Sequence, residues 1–268
     1  MNNRELNEYA QREVLNIDAN VSLLVYDYAH DETLLSIDAE RKLVSASTIK
    51  TPIMLTALDR VQNGTLKIDQ ILPVESKEIL EDTEVFDHGE PAYSLEELLT
   101  WMIINSDNTA TNVLIEWLGM GAVNTYSDSL GLESTVLERK MLDWDALRAG
   151  RNNFTSAADQ LIIFTKLYHQ LILTPALCGL AIRILKQQRD FSSAFRYIAD
   201  PSLTAAHKTG GLDHLNHDVG IFYLPDRAYY FGCFVTDCMG ETEENPLAQK
   251  LIGRLSKSVY EFYKGGLQ

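Results

Sequence analysis

The chain has 268 residues, 46% of them hydrophobic, and sets 23 Lys+Arg against 38 Asp+Glu for a formal net charge of −15. That length is enough for one large domain, or two small ones, around a sizeable core. The acidic balance excludes nucleic acid or an anionic membrane surface as the expected partner, since the densest basic stretch, "ERKMLDWDALRAGR", is interleaved with acids.

No apolar run approaches the length of a membrane span. The first residues, "MNNRELNEYAQREVLN", lack the apolar core of a signal peptide. The expectation is a cytoplasmic protein, or a secreted or periplasmic one if an export leader has been removed. Cys178, Cys233 and Cys238 are too few and too odd in number for a disulfide framework, and read as buried reduced thiols.

In chain order, Leu6, Tyr9, Val14 and Leu15 recur near helical spacing and predict a helix over 4–16. Two strands follow, over 21–29 and 33–38, joined by the turn-forming "HDE". A helix then starts near Ser45–Ser47, with either serine as cap, and stops at Asn63-Gly64. From 94 to about 200 the pattern is almost wholly helical. Ser94 and Glu97 make a capping box, and "NTATNVLIEWLG", "TSAADQLIIFTKLYHQ" and "TPALCGLAIRILKQQ" are amphipathic. After Pro201, "LTAAHKTGG", "HDVGIFYLPD" and "RAYYFGCFVTD" read as antiparallel strands, and "PLAQKLIGRLSKSVYEFY" as a last helix.

This order predicts an α+β fold: one five-stranded antiparallel sheet with N- and C-terminal helices packed on it, plus an inserted all-helical domain. The expected division is 1–44 with 201–268 as the sheet domain, and 45–200 as the all-α domain. A site is expected in the cleft between them.

Three short motifs carry candidate chemistry. "STIK" sets Ser47 and Lys50 three apart, on one face of a helix. In a first helical turn the Ser47 N–H has no helical partner and can stabilise an oxyanion, while the positive helix end favours a neutral, basic Lys50. The plainer alternative is a capping serine and a solvated lysine. "SDN" places Ser106, Asp107 and Asn108 in an inter-helix loop. There Ser106 can relay a proton, Asp107 can pin the loop, and Asn108 can hold Lys50 or a substrate carbonyl; equally, all three are capping residues. "HKTGG" ends a strand with Lys208, Thr209, Gly210 and Gly211. Its glycines admit close approach of a ligand backbone, Lys208 can attract a carboxylate and the Gly211 N–H can serve an oxyanion; a hairpin turn is the alternative.

Each motif alone fits its plainer reading. In this order and on these elements, S-x-x-K, S-D-N and K-T-G form the signature of penicillin-binding proteins and class A β-lactamases. The chain therefore resembles the class A β-lactamase-like serine hydrolases over nearly its whole length, with "NSDNTATNVLIEWLG" and "HKTGGLDHLNHDVGIFY" extending the likeness beyond the minimal patterns. The resemblance implies Ser47 as nucleophile and Lys50 as its base or part of the proton relay. It implies Ser106 as donor to the leaving nitrogen, Lys208 and Thr209 as carboxylate holders, and the N–H groups of Ser47 and Gly211 as the oxyanion hole. No cofactor or metal is implied.

One family element is missing. Class A enzymes carry E-x-x-L-N on an inter-helix loop, where the glutamate activates the deacylating water; the matching stretch here, "LERKMLDWDALRAGRNNFTS", has none. Counting from Arg139, Met141 falls near the glutamate's place, and Glu138, Asp143 and Asp145 are the nearby carboxylates. Asp143 is the candidate substitute base. Three functions stay open: a serine β-lactamase; a D-Ala-D-Ala peptidase, amidase or esterase of the same fold; or a slowly deacylating penicillin-binding protein or sensor. The expected partner is a β-lactam or acyl-peptide, with no nucleic acid, and the chain is expected to be a monomer. His207, His214 and His217 lack standard metal-ligand spacing. Trp101, Trp117 and Trp144 read as packing residues.

Overall fold

A computed structural model describes residues 1–81, 83, 85–86 and 92–265. α1 (Asn3–Leu15) opens on a reciprocal capping box between Asn2 and Glu5. β1 (Asn20–Asp27) and β2 (Glu32–Ile37) form the expected antiparallel pair. β3 (Leu43–Val44) leads into a tight 3₁₀ turn, Ala46–Ile49, which runs on into α2 (Lys50–Gln62). The expected serine cap is absent: neither end of this turn uses a side-chain cap, and the Ser45 Oγ donates to the Ala46 carbonyl instead.

β4 (Ile71–Pro73) and β5 (Ala92–Ser94) make a small ribbon before α3 (Leu95–Ile104), whose Ser94–Glu97 box is as expected. α4 (Asn108–Leu118) ends at Gly119, whose φ of 79° suits a residue without a side chain, and α5 (Met120–Ser129) follows directly. The stretch from 130 to 156 departs from the all-helical expectation. It holds only the short α6 (Trp144–Arg148) and β6 (Phe154–Thr155), which pairs with β3. α7 (Ala157–Tyr168) is capped by Ser156, and α8 (Pro175–Leu185) by Thr174 with Pro175 in its first turn. β7 (Thr204–Leu212), β8 (Leu215–Tyr223), β9 (Ala228–Thr236) and α9 (Leu247–Gly265) complete the chain.

The main sheet is five-stranded and antiparallel, in the order β2-β1-β9-β8-β7. α1 and α9 cover one face through Leu6, Ala10, Leu251, Ile252, Leu255 and Val259. The other face shares a continuous apolar core with the central helices, in which Ile53, Met54, Leu55, Ala57 and Leu58 of α2 are all buried. A helix buried almost all round can direct its first residues into the junction of sheet and helices. β7 is the sheet edge facing that junction.

All three cysteines are buried and free. Of the tryptophans expected to pack, Trp117 and Trp144 are instead 42% and 52% exposed. Among the described residues no helix is long and apolar enough to cross a membrane.

Candidate active site

The turn carrying Ser47 is held from three sides. The Asn153 carbonyl accepts the Ser45 N–H at 2.9 Å, and the Thr48 Oγ1 donates to the Ser45 carbonyl at 2.7 Å. From the sheet, the His217 Nε2 lies 2.9 Å from the Val44 carbonyl. Burial pushes His217 down to about 4, against the pull of the Val44 and Asn216 carbonyls that face its two ring nitrogens. β7 then presses on the turn itself. A Cβ placed on Gly210 would lie 3.2 Å from the Ser47 nitrogen and from the Ala46 Cβ. Glycine is what lets the strand edge come this close.

Ser47 is half-buried, and Lys50 one turn later is completely buried. The Lys50 Nζ donates to the Asn108 Oδ1 at 2.7 Å and to the Ser106 Oγ at 3.1 Å, and also reaches the Ser106 carbonyl. Asp107 fixes this loop. Its Oδ1 caps α4 through the Ala110 N–H at 2.7 Å, and its Oδ2 accepts from the Thr83 hydroxyl. Of the three, only Asp107 caps α4, while the Ser106 Oγ and the Asn108 Oδ1 face Lys50.

Lys208 comes from β7. Its Nζ donates to the Thr209 carbonyl at 2.8 Å and to the Ser106 Oγ at 3.1 Å. It is completely buried, and burial pushes its pKa down to about 7, against the attraction of Asp190 and Asp218. Two amines from different elements thus converge on one hydroxyl. A hydroxyl oxygen has two acceptor sites and one hydrogen. With both sites facing lysines, the Ser106 hydrogen is left to point elsewhere.

His207 and His214 lie outside this cluster. The His207 Nδ1 lies 2.7 Å from the Asp218 Oδ1 in the core, and the His214 Nδ1 lies 3.1 Å from the Cys238 carbonyl.

A cleft beside Ser47 is lined by Ala46, Asn108, Arg139, Met141, Leu142, Trp144 and neighbours. Among the described lining residues there is no aspartate, glutamate or histidine. Asp143 does not line it: its Oδ1 caps α6 through the Ala146 N–H at 2.9 Å. Asp145 pairs with Arg148, and Glu138 accepts the Asn152 N–H. Asparagines knit this loop in ways sequence patterns did not reveal. Asn112 exchanges two hydrogen bonds with the Met141 backbone, and Asn153 takes the N–H groups of Glu138 and Arg139 while donating to the Arg139 carbonyl. The adjacent pair "NN" at 152–153 was the one available signal. Three non-glycine residues around the cleft have left-handed backbones: Ala46 at φ 43°, Ser106 at 55° and Leu142 at 56°. Such conformations cost on the order of 1 kcal/mol or more each and cluster at functional sites.

The chain belongs to the β-lactamase enzyme family, whose description matches residues 4–263. It is 24% identical to a β-lactamase of Bacteroides uniformis over 234 residues, covering 80% of this chain and 77% of that protein. It is also 24% identical to the extended-spectrum β-lactamase PER-1 of Pseudomonas aeruginosa, over 96% of this chain and 87% of that one. Among solved structures, a β-lactamase from Sphaerobacter thermophilus superimposes with a TM-score of 0.85 at 22% identity, covering 100% and 99% of the two chains. PBP-A superimposes with a TM-score of 0.87 at 24% identity, covering 97% and 96%. A mutant of PBP-A is described as an acyl-enzyme complex with penicillin G.

Proposed function

We propose that this protein opens β-lactam rings through an acyl-enzyme on Ser47. The observation that carries the reading is the convergence of the Lys50 and Lys208 amines on the Ser106 Oγ, 3.1 Å from each. Lys50, as the free amine, takes the Ser47 proton as the Oγ attacks the lactam carbonyl, and one of its three acceptor contacts gives way to the amine lone pair. The N–H groups of Ser47 and Gly211 receive the developing oxyanion. The C–N bond breaks, Ser106 gives its hydrogen to the leaving nitrogen, and the proton held by Lys50 restores the Ser106 hydroxyl. Lys208 and Thr209 hold the substrate carboxylate, with Gly210 giving the strand edge room to approach. Asn108 orients Lys50 by accepting its hydrogen bond.

Deacylation needs a water and a base. Met141 lines the cleft where the family's glutamate is expected, and no carboxylate or histidine is found among the described lining residues. We therefore assign a slow second step, so that the acyl-enzyme accumulates as in a penicillin-binding protein. Asp143, two residues past Met141 in the chain, is the candidate loop carboxylate, and its capping role argues that it acts on the loop rather than on water.

A chromogenic cephalosporin tests this. One equivalent of ring opening in a burst, a slow steady state and loss of both in Ser47→Ala are expected. Full activity in Ser47→Ala would end the assignment, and fast steady turnover would end the slow-deacylation reading.

A further inference from the structure

Arg139 stands out among the residues lining the cleft. It is only 8% exposed, yet among the described residues no carboxylate pairs with its guanidinium. Its Nε donates to the Asn152 Oδ1 at 2.9 Å and one terminal nitrogen to the Lys140 carbonyl at 3.2 Å, so both partners are neutral. Asp143 acts on it only through space, with Oδ1 engaged by the Ala146 N–H. The Glu138 carboxylate faces the Asn152 N–H instead. A guanidinium offers five N–H donors in a planar fork, so two bonds leave donors over. A buried charge with no carboxylate hydrogen-bonded to it is incompletely compensated, and a carboxylate is the partner its fork fits best.

Lys208 contacts Ser106 from β7, beneath the strand edge that lines the cleft at Gly211 and Leu212, whereas Arg139 lines it from the loop with Met141, Asn152 and Asn153. The same cleft has apolar lining at Met141, Leu142, Trp144 and Leu212.

Building on the Ser47 acyl-enzyme reading, we infer that the cleft takes a dianionic acyl donor: one carboxylate on the leaving-group side at Lys208, a second on the acyl side chain at Arg139. The apolar lining accepts the hydrocarbon or aryl spacer that joins the second carboxylate to the reacting carbonyl. An arginine serving only as a loop staple would show no such preference.

A one-pot competition tests this. Wild-type protein is mixed with equal amounts of benzylpenicillin and its α-carboxy analogue, and the two Ser47 adducts are counted by intact mass at early times. The carboxylated adduct should lead by about 10-fold, the size of one charge-assisted hydrogen bond. In Arg139→Gln the ratio should fall to about 1, and Arg139→Lys should recover part of it. A ratio near 1 in the wild type, which needs no variant to fold, overturns the inference; so does an unchanged ratio in Arg139→Gln. If neither penicillin labels Ser47, the acyl-enzyme reading itself has failed, and the dianionic inference falls with it.

Discussion

Lys50 and Lys208 share one acceptor: the Ser106 Oγ lies 3.1 Å from each of their buried amines. Ser106 is thus the point through which the helix-borne and strand-borne amines are joined. Replacing it with alanine removes both the relay hydrogen and the common acceptor. Acylation by a penicillin should slow by about 10²-fold or more, in the range of general acid–base effects. Stability should fall by about 1–3 kcal/mol, because two buried donors each lose a partner. Stopped-flow acylation and urea unfolding measure the two separately. An unchanged acylation rate would remove Ser106 from the proton path.

Lys208 gives the stability a particular pH dependence. Its folded-state pKa, near 7, lies below the value of about 10.4 expected in the unfolded chain. Between these values the unfolded state binds more protons, so stability from this group rises with pH. Its destabilising cost is fully present below about pH 7 and gone above about pH 10. Lys208→Met should therefore be more stable than the wild type near pH 6, by on the order of a few kcal/mol, with the gap closing toward pH 10. Urea unfolding of both proteins across this range is the check. A gap that does not change with pH would mean that Lys208 keeps its ordinary proton affinity.

Gly210 and Gly211 should respond differently to alanine. At Gly210 the new Cβ would lie 3.2 Å from the Ser47 nitrogen and 3.3 Å from the Ser45 carbonyl oxygen. The nucleophile's turn must shift, and acylation should drop by about 10²-fold, the scale of a 1 Å misplacement. At Gly211 the nearest atom is the Asn216 Nδ2 at 3.7 Å, an ordinary contact. Its N–H is retained, so acylation should stay within about 3-fold. Equal losses in the two variants would contradict this account of the strand edge.

Two loop substitutions separate structure from chemistry. Asp143→Asn keeps a capping side chain, and steady-state turnover should be nearly unchanged if Asp143 only caps α6. A long-lived adduct appearing in that variant but not in wild type would make Asp143 the water-activating base after all. Met141→Glu places a carboxylate among the cleft residues and should raise the rate of adduct loss about 10-fold or more. Adduct lifetime by intact mass reads both variants.

Much of this architecture was legible from residue order. Strands at both ends of the chain predicted a sheet joining N- and C-terminal segments, and β1 does pair with β9. Serine and glutamate three apart marked the start of α3. Three motifs in a known order single out Ser47, Lys50, Ser106 and Lys208, and the structure brings the last three together. The loop from 130 to 156 was not legible. It is held by side-chain amides of Asn112, Asn124, Asn152 and Asn153, which leave no periodicity in the sequence. Nor does a serine announce whether it caps. Ser45 sits where a cap is common, but the chain enters α2 through a 3₁₀ turn whose geometry leaves that bond unmade. The exposure of Trp144 was missed for a related reason: an aromatic residue signals packing, and only the cleft beside it explains its open face.

Ala46, Ser106 and Leu142 belong to three separate stretches of chain, and none would adopt its backbone angle in isolation. The surrounding scaffold has to hold all three against their own preferences. Thinning the interior, for example by truncating the fully buried Phe164, which does not line the cleft, would first let these stretches relax, with the global fold still intact. The interior of this protein therefore acts as a clamp, and weakened variants should go quiet at temperatures where they are still folded.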